Sequence, residues 1–308
     1  MGAAEFQGLL LTIIISATPL LFAALGELVS ERSGVLNLGV EGMMAVGAVI
    51  GFIAGNATGI PIIGVLCAIL AGMAMASLFA LVTLVFVANQ VASGLALTLF
   101  GLGLSALIGD KYVSVPGLGL ERIHIPALSD IPIVGPIVFG EDPLVYVAIA
   151  LTVAVGWFLF RTRPGLIVRA TGDNHTSAHA LGYNVIRVRF LSVLFGGACA
   201  GLAGGYLSIV YSPQWTPNMT AGRGWIALAL VVFGTWLPIR VAIGALLFGA
   251  ISILQLNAQG HGVAIPPQFL SSLPYFTTVV VLVVISRNRM LLRVNTPACP
   301  GQGFVPDR

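Results

Sequence analysis

Long runs of apolar residues separated by short polar segments dominate the chain, and they predict its elements. A helix that crosses a bilayer needs about 20 mostly apolar residues. The runs predict an all-α, polytopic transmembrane helical bundle of about nine spans (eight to ten), forming one domain over residues 1–308. The predicted spans are 9–29, 35–56, 60–87, 90–109, 143–160, 188–212, 223–237, 240–258 and 270–286.

Three polar connections stand between or after these spans. Residues 110–142 contain several prolines among alternating apolar residues, which predicts a structured external loop with either a short strand or a re-entrant piece. Residues 161–187 form a predicted cytoplasmic loop, and residues 287–308 form a predicted cytoplasmic tail.

Basic residues predict the orientation, because cytoplasmic loops carry an excess of Lys and Arg. Placing 161–187 inside puts eleven of the fourteen Lys and Arg residues inside and leaves Lys111, Arg122 and Arg223 outside. Nine spans then give an outside N-terminus and an inside C-terminus. The first apolar run has no Lys or Arg before it, which favours a retained helix over a cleaved signal peptide.

Composition narrows the class of protein. Hydrophobic residues make up 57% of the chain and charged residues 8%, and the mean hydropathy is +1.01. Such a chain cannot cover itself with a surface suited to water, so we expect a multi-pass membrane protein with lipid around it. The net charge of +3 is too small and too scattered to indicate nucleic acid. Three distant cysteines indicate neither a disulfide framework nor a metal site.

Small residues recur four positions apart in two predicted spans. Such spacing lets helix backbones approach closely and marks contact faces between helices. The glycines are Gly47, Gly51, Gly55 and Gly59 in the second span, and Gly197, Gly201 and Gly205 in the sixth.

The residues give no indication of an enzyme. Lys111 is the sole lysine and follows Asp110, so the glycine-rich ATP-binding loop that ends in Lys-Ser/Thr is excluded. No catalytic residues are predicted. His175 and His179 have a spacing that suits zinc, but further ligands are missing nearby, so no metal site is predicted.

Charged and helix-breaking residues follow the first span, where charge at membrane depth is costly. Glu27 lies near the inner end of the first span and Glu41 near the start of the second. The glycines and Asn37 between them predict an interrupted helix whose freed backbone groups lie inside protein or a wet cavity. Two interpretations stay open: a gate or pathway element, and a turn at the inner face held by a Glu–Arg pair.

A second polar cluster, Pro213 to Trp225, precedes the seventh span on the predicted external side. Its tryptophans are typical of interfacial anchors, while its Asn, Thr and Arg side chains would also suit a polar solute. Amides near Phe22 and Trp225 would suit a neutral hydroxylated solute with a flat ring. The pathway or gate candidates are Glu27, Asn37, Glu41, Gln90, Asn218, Thr220, Arg223 and Trp225.

The segment 169–182 is a polar island between two spans and predicts a docking element for a soluble partner that moves the helices. We expect a short helix at 173–181 capped by Asp173 or Asn174. The candidate coupling residues are Arg169, Gly172, Asp173, Asn174, Ser177, Ala178, Leu181 and Gly182.

Three motifs resemble permeases of bacterial nucleoside-type ABC importers, within the group of branched-chain amino acid, ribose and nucleoside permeases. Residues 30–44 (SERSGVLNLGVEGMM) resemble the first motif of that family, residues 218–229 (NMTAGRGWIALA) resemble a signature of the nucleoside branch, and residues 169–182 resemble the coupling helix. The chain departs from the pattern at His175 and Ser177, which favours altered partner choice over lost docking. It lacks the extra N-terminal helix of the sugar permeases, which favours the nucleoside subgroup.

This resemblance implies a multi-pass protein of a bacterial plasma (inner) membrane that forms a translocation pathway for a nucleoside or related small polar solute, with no cofactor bound by this chain. It implies four partners: a separate ABC ATPase subunit that holds ATP and Mg²⁺, a second homologous permease subunit forming a heterodimer, an extracytoplasmic solute-binding lipoprotein, and membrane lipid.

Three alternatives remain. One is an ABC permease for a simple sugar, a purine-like base or a branched-chain amino acid. Another is an ion-coupled secondary transporter with Glu27 and Glu41 as carriers; such transporters bind ions near mid-membrane, whereas both carboxylates are predicted near the inner face. A non-transporting membrane scaffold is the third, against which the internal polar clusters argue.

Overall fold

The computed structural model describes residues 3–123, 134–260, 266–286 and 295–305, and these residues are helical with no β-strand. The all-α prediction is confirmed. The helices are α1 (Ala3–Arg32), α2 (Val40–Thr58), α3 (Pro61–Ala80), α4 (Gln90–Gly109), α5 (Val134–Phe139), α6 (Pro143–Arg161), α7 (Arg163–Asp173), α8 (His175–Ala180), α9 (Val185–Tyr206), α10 (Arg223–Phe233), α11 (Pro238–Gly260) and α12 (Pro267–Ser286).

Seven helices of the described chain are long and apolar enough to cross a membrane: α1, α2, α3, α4, α6, α9 and α11. The predicted count of nine is therefore not confirmed. The prediction of a full span over 223–237 is wrong, because α10 has 11 residues and rises only about 16 Å. The helix α12 has 20 residues and includes the apolar stretch Ser272–Val281.

Helix starts follow ordinary capping chemistry. Pro61 and Pro143 occupy first-turn positions of α3 and α6, where a missing N–H has no cost. The side chains of Asn89 and Asp142 accept hydrogen bonds from the first backbone N–H groups of α4 and α6. In the predicted loop 110–142, Asp110–Tyr112 forms a 3₁₀ turn, and isolated bridges join Val113 to Trp215 and Pro116 to Gln214. Residues 124–133 lie outside the described residues.

The core is centred on α9, whose glycine face lets α2 and α3 approach. A Cβ on Gly47 would lie 2.6 Å from the Cα of Gly201, and a Cβ on Gly72 would lie 2.1 Å from the carbonyl oxygen of Gly197. The predicted contact faces are therefore confirmed for most of these glycines. Gly59 is an exception, because nothing lies within 4 Å of its added Cβ.

Contacts between distant helices define two ends of the bundle. At the first, called the junction end, the Ser30 hydroxyl near the end of α1 donates to the Ser192 carbonyl near the start of α9. At the second, called the far end, the Tyr206 hydroxyl at the end of α9 donates to the carboxylate of Asp142. The predicted orientation, with the junction end in the cytoplasm, stays a prediction.

Candidate functional site

The segment 33–39 between α1 and α2, called the linker, is non-helical and mostly buried. The Leu36 N–H donates to the Gln90 amide oxygen (2.9 Å), and the Asn37 N–H donates to the Glu27 carboxylate (3.0 Å). The Thr98 hydroxyl donates to the Leu38 carbonyl (2.9 Å). The prediction of an interrupted helix with its freed backbone groups inside protein is thus confirmed.

The linker extends into the interior of the bundle and does not stay at the surface of the junction end. Glu27 stands five residues before the end of α1, about 7.5 Å along the helix, and it binds the backbone of Asn37. The second helix therefore begins deeper than the first one ends. The interpretation of an inner-face turn held by a Glu–Arg pair is not supported, because Glu27 binds backbone and Arg32 donates to the Trp236 carbonyl.

Two buried polar atoms beside the linker have no hydrogen-bond partner among the described residues: Oε2 of Glu27 and Nε2 of Gln90. An unsatisfied buried polar group costs about 1–3 kcal/mol, more when it is charged.

Glu41 joins the first turn of α2 to the start of α10. Its two carboxylate oxygens accept from the backbone N–H groups of Gly222 (2.8 Å) and Gly224 (2.6 Å). A carboxylate at a helix N-terminus neutralises unpaired N–H groups and the positive end of the helix dipole. Gly224 fits there because a Cβ would lie 2.6 Å from the Glu41 backbone.

The other end of α10 reaches the junction end. The Trp236 indole donates to Glu31 (2.6 Å), and Arg32 donates to the Trp236 carbonyl (3.1 Å). The 11 residues of α10, about 16 Å along the helix axis, thus separate Glu41 from that end.

The segment 212–222 leads from the far end back to Glu41. Trp215 is 1% exposed and packs on Gly109, so it is a core residue and not the interfacial anchor that the sequence also allowed. Asn218 is exposed, and the hydroxyl of buried Thr220 has no partner among the described residues. Partly exposed irregular backbone thus stands directly before α10.

The predicted pathway residues fall into two groups. Glu27, Asn37 and Gln90 meet at the linker. Around the start of α10 stand Glu41, Asn218, Thr220, Arg223 and the half-buried Trp225. Arg223 donates to the Met219 carbonyl and lies 5.0 Å above the Tyr211 ring. Phe22 does not belong to either group, because it is fully buried against Tyr206.

The predicted coupling segment consists of two helices at the junction end. The Asn174 side chain accepts from the Ser177 N–H, so Asn174 caps α8, while Asp173 ends α7. The predicted helix 173–181 is thus shorter in the structure, His175–Ala180. Asp173, Asn174, Ser177, Leu181 and Gly182 are exposed, Arg169 is half-buried, and Gly172 and Ala178 are buried.

Residues that the sequence did not single out complete this end. Arg189 is 1% exposed and binds the linker, and the tail segment 295–305 packs against α7 and α8. The Phe304 ring lies 5.3 Å from both the His175 and His179 rings. Burial lowers the pKa of His175 below its usual value, and the neighbouring Arg189 lowers it further.

The far end carries a buried acidic pair, Glu141 and Asp142, which the sequence analysis also did not single out. Asp142 caps α6 and accepts from Tyr206, while neither oxygen of the Glu141 carboxylate has a partner among the described residues. Burial raises the pKa of Glu141 to about 7, the adjacent Asp142 raises it further, and Arg122 opposes both. Burial also raises the pKa of Asp142.

Two surface cavities differ in character. An apolar one of ≈ 380 Å³ lies between α1, α6, α7 and α9, next to the coupling segment. A larger and more polar one of ≈ 610 Å³ lies between the N-terminal half of α1 and α11, lined by Glu5, Thr12 and Asn257 among others. In the described chain no cluster of three His, Cys, Asp or Glu side chains suits a metal.

Comparison with known proteins gives one consistent class. The "Putative glucose ABC transporter permease protein TsgC13" of Haloferax volcanii is 41% identical, over 89% of this chain and 90% of that protein. The nucleoside ABC transporter permease protein NupC of Lactococcus lactis is 32% identical, over 98% of each chain. The guanosine ABC transporter permease protein NupQ of Bacillus subtilis is 33% identical, over 89% of this chain and 92% of that protein.

No solved structure matches the chain. A family model described as "Branched-chain amino acid transport system / permease component" matches residues 9–285, which include both the linker and the coupling segment. Together with the seven membrane-spanning helices, this match shows that the chain is an integral membrane protein and belongs to the branched-chain amino acid transport system / permease component family of ABC transporter permeases.

Proposed function

We propose that this chain forms the translocation pathway of an ABC importer for a nucleoside or a related small polar solute, driven by a separate ATPase subunit. The observation that carries the proposal is the break before α10, where the Glu41 carboxylate holds the start of this half-helix. Irregular backbone inside a membrane protein is tolerated where it is buried in protein or lines a water-filled cavity.

The linker and α10 together supply an element that can open and close. Glu27 and Gln90 hold the linker backbone with one oxygen each and leave a second buried polar atom unpaired. Glu41 holds α10 through two backbone N–H groups and no covalent link. A small shift of α2 or α10 would exchange these bonds, which is how a packed core changes between discrete states.

Coupling would enter at the junction end through α8. The helix is exposed, polar and capped, and it stands between two spans, α6 and α9. The chain cannot hold ATP through a phosphate-binding loop, because its lone lysine does not fit that motif. ATP and Mg²⁺ would therefore be held by the partner ATPase, beside a second homologous permease and an extracytoplasmic solute-binding lipoprotein.

The solute is proposed to be a nucleoside, supported by the similarity of residues 218–229 to the nucleoside branch and by the two nucleoside-type relatives. Glucose is a second candidate, favoured by the 41% identity to the Haloferax protein. Both solutes carry a hydroxylated sugar ring, which the amides and hydroxyls around α10 would suit. A flat base would require an aromatic surface, for which half-buried Trp225 is the available candidate.

The test is uptake by proteoliposomes that contain the whole assembled importer. Labelled guanosine should enter only when ATP and Mg²⁺ are present on the ATPase side, and unlabelled glucose in large excess should not reduce the rate. If glucose competes and labelled glucose is itself taken up, the sugar assignment replaces the nucleoside one. Uptake without ATP would overturn the energising mechanism.

An ion-coupled mechanism is disfavoured by how the carboxylates are used. Both oxygens of the Glu41 carboxylate are occupied by backbone donors. Glu27 also holds backbone, at Asn37. Collapsing the proton gradient with a protonophore while ATP is maintained should leave the uptake rate unchanged, and a collapse of uptake would favour ion coupling instead.

A further inference from the structure

The tail segment 295–305, called the strap, lies across the coupling segment and the linker. The Cys299 N–H donates to the Gly172 carbonyl (3.0 Å) at the end of α7. Two residues on, the Gly301 N–H donates to the Gly34 carbonyl (3.1 Å) in the linker. The strap thus connects, through its own backbone, the element expected to receive force and the element expected to move.

Phe304 attaches the strap to α8. Its ring packs edge-on against His175 and His179, which face the same side of α8 because they are four residues apart. Aromatic rings in this edge-on geometry attract each other beyond the effect of the area they bury. The two histidines, whose spacing would suit zinc, therefore form a packing surface for the Phe304 ring.

Arg189 of α9 stands at the centre of this arrangement. Its Nε donates to the Ser33 carbonyl (3.2 Å), and its Nη1 donates to the Gln302 carbonyl (2.8 Å). Its Nη2 lies 3.4 Å from Nδ1 of His175. One planar, buried guanidinium thus connects α9, the linker, the strap and α8. A lysine carries a single nitrogen and cannot bind three groups in this fork.

The connected segments are in close backbone contact. A Cβ on Gly172 would lie 2.2 Å from the Arg32 carbonyl oxygen, and a Cβ on Gly34 would lie 2.8 Å from Nη2 of Arg189. Gly34 also has a φ of +89°, which favours glycine. Because these backbones are in contact, a displacement of α7 and α8 has to be shared with the linker.

The outer surface of the same end carries apolar side chains that water does not favour. Leu181, directly after α8, is 76% exposed, and Val305 at the end of the strap is 66% exposed. Both residues lie outside the long apolar helices and beside the exposed helix α8, where a protein partner can reach them. The occupant expected here is the ATPase, because the chain belongs to an ABC permease family and carries no ATP-binding loop of its own.

We propose that the strap is part of the docking surface for the ATPase, and that Arg189 transmits the movement of α8 and the strap to the linker. This inference rests on the proposed function. In docking, Phe304 holds the strap on α8 and Val305 offers an exposed contact to the ATPase. In transmission, Arg189 is a positioning residue that relates docking to the pathway.

The docking half is tested by purifying the permease from membranes and measuring the ATPase that accompanies it. Phe304→Ala should reduce the retained ATPase at least fivefold, while Phe100→Ala, which removes a phenyl ring from an exposed site on α4, should retain wild-type amounts. Val305→Asp is the second variant, because an exposed position does not threaten folding, and it should also reduce the retained ATPase. If both strap variants retain the ATPase fully, the strap is not part of the docking surface.

The transmission half is tested with Arg189→Lys in the assembled importer, with Arg187→Lys as the matched control on the same helix. Guanosine taken up per ATP hydrolysed should fall about tenfold for Arg189→Lys, with ATP hydrolysis by the ATPase maintained, and should stay within twofold for Arg187→Lys. Hydrogen exchange supplies a second measurement: adding ATP should change exchange at the 33–39 amides in wild type but not in Arg189→Lys.

The role of Arg189 would be overturned if Arg189→Lys matched the wild type in both measurements, the guanosine taken up per ATP and the ATP-dependent change in exchange at the 33–39 amides. Failure of the proposed function is distinguishable from this outcome. In that case the wild-type importer itself would show no ATP-driven uptake, whereas failure of the inference leaves wild-type uptake intact.

Discussion

The two ends of the bundle are built by different means. At the far end, Trp215 fills a pocket against Gly109 and Phe52, and Asp142 binds its neighbours α6 and Tyr206. At the junction end, backbone groups of the linker, α7 and the strap are held by one another and by the side chains of Glu27, Gln90 and Arg189. Apolar packing has one optimum, whereas hydrogen bonds can be exchanged between partners. We therefore expect the far end to determine stability and the junction end to determine transport.

The largest expected effect tests the far end. Trp215→Ala should destabilise the protein by about 3–5 kcal/mol, because it leaves a cavity where a fully buried indole packs on helix backbone. Thermal unfolding of the purified permease measures the loss. Trp157→Ala, at a position 63% exposed, should change the unfolding temperature little. Equal effects of the two substitutions would contradict the packing role of Trp215.

A smaller loss of stability, with a larger loss of transport, is expected at the half-helix. Glu41→Gln keeps the shape of the side chain but removes the charge at the start of α10, which should cost about 1–3 kcal/mol. ATP-driven uptake should fall at least tenfold. A variant with wild-type uptake would show that the carboxylate at α10 is not needed for the pathway to open.

The pH dependence of the far end should reveal the Glu141 carboxyl. Its pKa of about 7 is raised above the usual 4.5, so its contribution to stability is fully present below pH 4.5 and is lost as the pH rises through 7. Glu141→Gln should therefore stabilise the protein at pH 8, on the order of 1 kcal/mol, since one unit of pKa corresponds to about 1.4 kcal/mol and nearby water reduces the effect. The difference in unfolding temperature from wild type should shrink toward pH 5.

The smallest effect is expected from His175 at the junction end. Its pKa is lowered by burial and by Arg189, so the neutral ring is favoured in the folded state. Its contribution is present above the ordinary pKa of about 6.5 and is lost as the pH falls through the lowered value. Between pH 7.5 and 5.5 the wild type should lose somewhat more stability than His175→Asn, by less than about 1 kcal/mol. Parallel pH profiles of the two proteins would exclude this role.

The spans were predictable because hydropathy records which residues face lipid or core. The broken segment after α1 was also predictable, since Asn37 and the surrounding glycines interrupt a helical pattern. The short length of α10 was not predictable, because residues 223–237 are almost continuously apolar. The helix starts where the carboxylate of Glu41 accepts hydrogen bonds, and Glu41 lies 182 positions earlier in the sequence than Arg223.

Arg189 and the strap could not be recognised for a different reason. In sequence Arg189 is one of eleven basic residues that fit the predicted orientation, and only its buried contacts with Ser33 and Gln302 set it apart. Residues 295–305 are rich in Pro and Gly and have no hydrophobic periodicity. Nothing in their sequence therefore indicates that they fold back onto the coupling segment and the linker. The i, i+4 spacing of His175 and His179 did indicate that the two rings share one face of a helix. In the structure that face contacts the Phe304 ring.

The short length of α10 also has a consequence for biosynthesis. A helix of 11 residues is too brief to be inserted by the translocation machinery as an autonomous crossing. The N–H groups of Gly222 and Gly224 at its start have their acceptors on Glu41 of α2, a helix that is synthesised much earlier. We therefore expect α10 to reach its final position only after its own synthesis, when it packs against α2.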